Sequence, residues 1–138
     1  MNTLFQHIIC IILLITSISC NRKTETVEST YPNGNAKVIS ISKEGVKMSQ
    51  QKFYENGEKE TEGSFNEKGE RTGIWKYWYQ NGNLWSVCEY KNGKRDGKTT
   101  VYYKNGNIRY EGSFSNNQPS GAWTFKDEEG NIIKTLQY

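Results

Sequence analysis

Hydrophobic and polar residues alternate along most of the chain after residue 30, with the period of two that is typical of extended strands. The clearest stretch is residues 73–82, in which Trp75, Tyr77 and Tyr79 occupy every second position. Such alternation directs the two sets of side chains to opposite faces of a sheet. We therefore predict that these three rings share one aromatic face and that Trp78 lies on the other.

Turn sequences recur along the chain and define a repeat of about 24 residues. Five pairs ending in glycine are separated by 23, 25, 24 and 24 residues. Asn-Gly favours the two-residue type I′ turn, in which both residues take positive φ, so we predict a hairpin turn at each pair. The five pairs are Asn33-Gly34, Asn56-Gly57, Asn81-Gly82, Asn105-Gly106 and Glu129-Gly130.

A second glycine series, Gly73, Gly97 and Gly121, has the same spacing of 24 residues. Each of these glycines precedes the next turn pair by nine residues, and we predict that they mark a longer turn, such as residues 92–97. Each unit is then a strand, an Asn-Gly turn, a second strand and a longer turn. The glycines predicted to hold turns in this scheme include Gly57, Gly82, Gly97, Gly106 and Gly121.

Aligning the units on their turn glycines places similar residues in register. Two of the resulting columns combine large and small residues, and two blocks of sequence are identical between units. Stacked units of this kind predict an all-β fold, a single elongated antiparallel meander of about eight to ten short strands without substantial helix after the N-terminal segment. The columns are Trp75, Thr99 and Trp123, and Gly63, Cys88 and Gly112; the identical blocks are residues 62–65 and 111–114.

The N-terminal segment has the pattern of an export signal. Residues 8–15 form an apolar core that is too short to span a bilayer, and small residues follow up to Cys20. This ending resembles the lipobox of bacterial lipoproteins, which implies a signal peptide at 1–19 and lipid on Cys20. A plain secretory peptide and an uncleaved interfacial anchor are the alternatives.

The rest of the chain divides by composition. Residues 20–30 are almost entirely polar, which predicts a flexible tether. The repeat domain is then 31–138, with a degenerate first unit at 31–50.

Charge and rare residues narrow the function. The 18 basic and 15 acidic residues are interspersed, which argues against nucleic-acid binding. The only histidine, His7, lies in the signal segment, so the mature chain lacks the residue on which most hydrolytic and metal sites depend. We expect Cys88 to be a small buried residue, and we expect neither a cofactor nor enzymatic activity.

Residues 73–82 and their echo at 97–106 resemble the variant MORN repeat of the proteins often labelled YwqK-type antitoxins. The resemblance covers about residues 51–138. It implies an array of β-hairpins used for scaffolding, oligomerisation or lipid binding, and says little about activity.

Together these features predict a lipoprotein of the bacterial cell envelope, anchored in a membrane through Cys20, with a non-catalytic repeat domain that binds protein, glycan or lipid. The alternative is an antitoxin-like or immunity protein that binds a specific toxin. Strand parity suggests that Trp78 and Tyr102, rimmed by Lys76 and Lys104, form an exposed surface for a glycan, a peptide strand or another copy of the ribbon.

Overall fold

The structure is a computed structural model that describes residues 22–138. These residues form one ten-stranded antiparallel sheet in which every strand pairs with its neighbours in sequence, and they contain no helix. The predicted all-β meander is therefore confirmed. The strands are β1 Lys23–Thr30, β2 Ala36–Lys43, β3 Val46–Phe53, β4 Lys59–Phe65, β5 Arg71–Trp78, β6 Leu84–Lys91, β7 Lys94–Tyr102, β8 Ile108–Ser115, β9 Gln118–Lys126 and β10 Ile132–Gln137.

The sheet begins earlier in the chain than predicted. Residues 23–30, expected to be part of a flexible tether, form β1 and pair with β2, for example Val27 with Ile39. Every residue of β1 is exposed, so the strand forms through main-chain hydrogen bonds and the extended preference of its threonine and valine residues rather than through burial. The predicted signal peptide at 1–19 and the lipid-bearing Cys20 lie outside the described residues.

The Asn-Gly turns are hairpin turns, but not of the predicted type I′. At the turn between β5 and β6, only Gly82 has positive φ, at 86°. The Gly82 amide donates to the Tyr79 carbonyl at 2.9 Å, and the Tyr79 amide donates to the Asn83 carbonyl at 2.8 Å. This is a three-residue loop that ends in a left-handed glycine, the G1 bulge. Gly57 and Gly106 hold equivalent turns with φ of 87° and 92°.

The two-residue type I′ turns lie at the opposite end of the strands. Asn92 and Gly93 have φ of 49° and 78°, and the pairs Glu44-Gly45 and Asn116-Asn117 have the same conformation. The predicted longer turn at 92–97 is therefore wrong, because β7 already begins at Lys94.

Gly97 and Gly121 also differ from the prediction, because both lie inside strands. Gly97 has a φ of 116°, and Cys88 pairs with Thr99 whereas Tyr90 pairs with Arg95. Residues 96–98 therefore stand opposite a single residue of β6. Such a bulge requires a left-handed backbone that glycine adopts without strain. Gly121, with a φ of 69°, occupies the matching bulge of β9.

The hydrophobic core is one face of this sheet. Trp75 and Trp123 are 2% and 6% exposed, and Cys88 and Val101 are buried between them. Aromatic rings cover the tryptophans edge to face, with centroid distances of 5.3 Å for Phe65–Trp75 and 5.0 Å for Phe114–Trp123. Cross-strand aromatic pairs of this kind contribute about 0.2–1 kcal/mol each and allow a single layer to bury part of its own face.

Candidate functional site: a groove in the aromatic face

Side-chain ladders along the turns hold successive units together. In the first four units the tyrosine three residues before the turn glycine donates its hydroxyl to a main-chain carbonyl of the next unit. The turn asparagines do the same, as in the 2.7 Å bond from Asn83 Nδ2 to the Lys104 carbonyl. These bonds fix the turns at this end of the strands relative to one another. The tyrosine bonds are Tyr31 to Phe53, Tyr54 to Trp78, Tyr79 to Tyr102 and Tyr103 to Lys126, at 3.0, 2.7, 2.8 and 2.9 Å.

Tryptophan and glycine form pairs across adjacent strands. The Trp75 indole lies flat over Gly63, and a Cβ on that glycine would overlap the ring. The indole N–H of Trp75 donates to the Ser64 carbonyl at 3.1 Å. Trp123 covers Gly112 in the same way. Glycine is required at 63 and 112 because of this close approach and not because of its backbone angle, since neither has positive φ.

The unit between these two pairs departs from the pattern. Cys88 stands where the glycine is expected and pairs with Thr99, which stands where the tryptophan is expected. Both are buried, at 4% and 5% exposure, and Thr99 Oγ1 donates to the Val87 carbonyl at 3.3 Å. Burial raises the pKa of the Cys88 thiol. Cys88 is thus the small buried residue predicted from the sequence.

An open groove of about 410 Å³ lies above the Cys88–Thr99 pair. Its volume falls in the range of pockets that bind small ligands or side chains, roughly 300–1,000 Å³. Most of its lining is aromatic, and one residue, Arg95, carries a full charge at neutral pH. The other lining residues are Tyr77, Trp85, Ser86, Cys88, Tyr90, Thr99, Val101, Tyr110, Phe114, Pro119, Trp123 and Phe125.

Arginine side chains stack on the aromatic rings of this face. The Arg71 guanidinium lies 4.2 Å from the Trp75 ring centroid, and that of Arg95 lies 3.9 Å from the Phe114 ring. Arg71 also donates to the Tyr77 hydroxyl at 2.9 Å. Burial raises the pKa of Tyr77 to about 12. The groove wall therefore combines aromatic rings with the positive charge of Arg95.

The four residues predicted to bind a partner do not meet in one cavity. Lys76 lies 4.0 Å from a Glu62 carboxylate oxygen on the face opposite the groove. Trp78 is half-buried beneath the Lys59 ammonium, 5.2 Å from its ring. Tyr102 is half-buried and pairs with Ile108, and Lys104 lies over the Tyr79 ring at 5.9 Å. Their role in binding stays a prediction.

The groove was not predicted from the sequence, although a signal for it was present. Thr99 interrupts a column that is otherwise tryptophan, and Cys88 interrupts one that is otherwise glycine. A gap in a column of large core residues indicates a cavity when the neighbouring units keep their packing. In the part of the chain that the structure describes, no cluster of three or more His, Cys, Asp or Glu could hold a metal ion. Nor do residues 22–138 include a helix of membrane-spanning length and apolarity.

Comparison with known proteins identifies the repeat. Residues 71–92 and 95–116 match the family described as MORN repeat variant. A search of curated proteins found no match.

Two solved structures have a similar chain course, both at 13% identity. One is the crystal structure of accessory secretory protein 1, 2 and 3 in Streptococcus pneumoniae, with a TM-score of 0.44 over 71% of this chain and 18% of that one. The other is the crystal structure of the GtfA/B complex bound to UDP and GlcNAc, with a TM-score of 0.45 over 86% and 27%. The chain thus spans only 18% and 27% of the length of these proteins. Strands β5 to β8 of the present chain are two adjacent copies of the MORN repeat variant.

Proposed function

We propose that this protein is a non-catalytic interaction module of the bacterial envelope that binds a protein partner through the aromatic face of its sheet. The observation that carries the proposal is the open groove in that face. MORN repeats suggest a binding repeat module. An open aromatic groove on a single-layer sheet is a surface to which a partner can bind.

Rigidity supports binding at this surface. The tyrosine and asparagine ladders connect each turn to the next through bonds to main-chain carbonyls. A pre-formed site loses less conformational entropy when a partner binds. Trp85, which is 44% exposed at the groove, provides an amphipathic ring of the type that is enriched at interaction hot spots.

The anchor is proposed from the N-terminal sequence. The apolar run that ends at Cys20 supports lipidation there, and β1 begins at Lys23. Only Asn21 and Arg22 separate the two, and an extended residue spans about 3.3–3.6 Å. The first residue of the edge strand would then lie within about 11 Å of the acylated cysteine, which favours partners at the membrane surface.

Substituting Cys20 tests the anchor. Cys20→Ser should release the protein from the membrane fraction or leave it unprocessed. The matched control is Cys88→Ser, which leaves the proposed lipid site intact. If Cys20→Ser sediments with membranes as the unmodified chain does, with the same mobility and resistance to salt, lipid on Cys20 is not the anchor.

Photocrosslinking in intact cells tests the interaction. A benzoylphenylalanine at Trp85 should give one discrete adduct, because this side chain is exposed at the groove. The same group at Lys76, on the opposite face, should give none or much less. Adducts from Lys76 alone would move binding to the face of Trp78, and no adduct from either position would overturn the proposal. Identification of the adduct as a secreted toxin would favour an immunity role.

A further inference from the structure

The groove lies where the repeat interrupts its own tryptophan column. Trp75 and Trp123 each fill the space above a glycine of the preceding strand, and the rings of neighbouring residues enclose them. Above Cys88 and Thr99 no ring fills the corresponding space, and the groove lies there. Two buried side chains of moderate size thus replace a glycine and an indole, and they leave the space that an indole occupies in the units on either side.

The groups that hold the indole elsewhere are present around this opening. Trp75 contacts the edge of Phe65 and the guanidinium of Arg71. Tyr90 and Arg95 occupy the corresponding positions of the middle unit, and both line the groove. Tyr90 contacts Trp75 with a centroid distance of 6.1 Å, and the Arg95 guanidinium lies 3.9 Å from the Phe114 ring. A ring and a cation of the kinds that hold Trp75 thus stand at the groove, where the sequence of the middle unit supplies no indole.

The charge of the groove indicates the chemistry of its occupant. Arg95 is the one lining residue with a full charge, and its guanidinium stacks on an aromatic ring within the groove. The electron-rich face of a ring complements a guanidinium, and indole does so best. A carboxylate next to the ring of the occupant would also be favoured, because it would pair with Arg95 and meet no negatively charged residue in the groove lining.

We propose that this groove binds a tryptophan side chain presented by an extended segment of a partner protein, which takes the place of the indole missing at position 99. The inference rests on the proposed function and specifies the chemistry of the partner. The volume of about 410 Å³ accommodates the ring together with part of the segment that carries it.

Titration of the full-length chain with small probes tests the proposal by NMR. N-acetyl-tryptophanamide should shift the methyl resonances of Val101, which lines the groove, in a saturable manner. It should leave those of Val87, on the other face of β6, unchanged. The affinity for N-acetyl-leucinamide should be lower by about tenfold or more. Equal binding of the two amides, or tighter binding of diacetylchitobiose, would overturn the proposal, the latter in favour of a glycan site.

Variants that supply the missing indole sharpen the test. Thr99→Trp should reduce binding of N-acetyl-tryptophanamide by about tenfold or more, because the chain then fills its own groove. Cys88→Gly combined with Thr99→Trp recreates the Gly63–Trp75 pair and should have the same effect if the single variant folds poorly. Thr100→Trp, which adds an indole on the opposite face, is the matched control and should retain binding. Retained binding in a folded Thr99→Trp chain would contradict the proposal.

Arg95→Gln tests the guanidinium without adding an indole to the chain. It should weaken the tryptophan probe about two- to thirtyfold, as expected for loss of a cation–π contact, while the leucine probe changes little. The same loss for both probes would overturn the role of the guanidinium.

Failure of this inference is distinguishable from failure of the proposed function. If the adduct from Trp85 persists in the Thr99→Trp chain, the interaction module stands and the tryptophan groove does not. If the probe binds as described but no adduct forms in cells, the groove stands and the proposed partner interaction does not.

Discussion

Adding one methyl group to Gly63 should strongly destabilise the sheet. A Cβ at this position overlaps the Trp75 indole, which is 2% exposed. Overpacking of a core costs about 1–3 kcal/mol. If the indole shifts, its hydrogen bond to Ser64 is also lost, at a cost of about 1 kcal/mol. We expect Gly63→Ala to lower the free energy of unfolding by about 2–4 kcal/mol.

The same substitution should have the opposite sign when the indole is absent. In a Trp75→Thr background, which imitates the Cys88–Thr99 pair, alanine meets no ring. Alanine in a strand is then better than glycine by about 0.5–1 kcal/mol, so Gly63→Ala should stabilise. The two effects predict a coupling energy of about 2.5–5 kcal/mol between the two sites.

Urea denaturation of the four chains of this cycle, followed by circular dichroism, measures the coupling. Ser64→Ala is the matched control, since it changes the next residue, which is exposed. It should alter the midpoint little in either background. A cost of Gly63→Ala that is the same with and without Trp75 would refute the reasoning, because it would show that backbone preference and not contact with the ring requires glycine there.

Three further outcomes are expected. Gly106→Val should lower the melting temperature far more than Ser115→Val, because Gly106 has a φ of 92° where a Cβ is strained, and equal melting temperatures would contradict the turn assignment. Tyr79→Phe should lower the free energy of unfolding by about 0.5–1.5 kcal/mol, measured by urea denaturation, since it removes a 2.8 Å hydrogen bond between units. Tyr102→Phe should lower it less. Equal losses for the two variants would show that the tyrosine ladder is not stabilising. The raised pKa of Tyr77 means that folding favours its protonated form, so this contribution to stability is complete below pH 10 and is lost as the pH rises towards 12. Tyr77→Phe should therefore flatten the decline of the free energy of unfolding between pH 10 and 12. An unchanged slope would contradict burial as the cause of the raised pKa.

The strands could be predicted from the sequence because alternation is a local property. Trp75 and Tyr77 lie on the same face, as their parity indicated, since they pair with Cys88 and Ser86, which both line the groove. β1 was missed because its polar residues gave no sign of burial, and it is held through main-chain pairing with β2. Main-chain pairing leaves no mark on the pattern of hydrophobic residues.

Turn type was less predictable, because Asn-Gly is compatible with both two-residue and three-residue loops. The three-residue loops here have bonds of both ranges: within the loop, the Asn83 amide donates to the Asn81 side-chain oxygen at 3.1 Å. Asn83 donates across to the Lys104 carbonyl of the next unit, a contact 21 residues away, and Asn56 donates to the Gln80 carbonyl, 24 residues away. The candidate groove was missed for a related reason: it arises from a difference between units, whereas repeats are recognised by what the units share.

The order of the strands also has a consequence for how the chain acquires its structure. Each strand pairs only with its neighbours in sequence, from β1 through β10, so no strand waits for a distant segment before it can form hydrogen bonds. Chains dominated by such short-range pairing fold quickly, because little entropy is lost in closing each loop. A strand order of this kind allows any hairpin to serve as the nucleus, from which pairing spreads to the units on either side. Each unit that has formed then offers its free edge as the template for its neighbour.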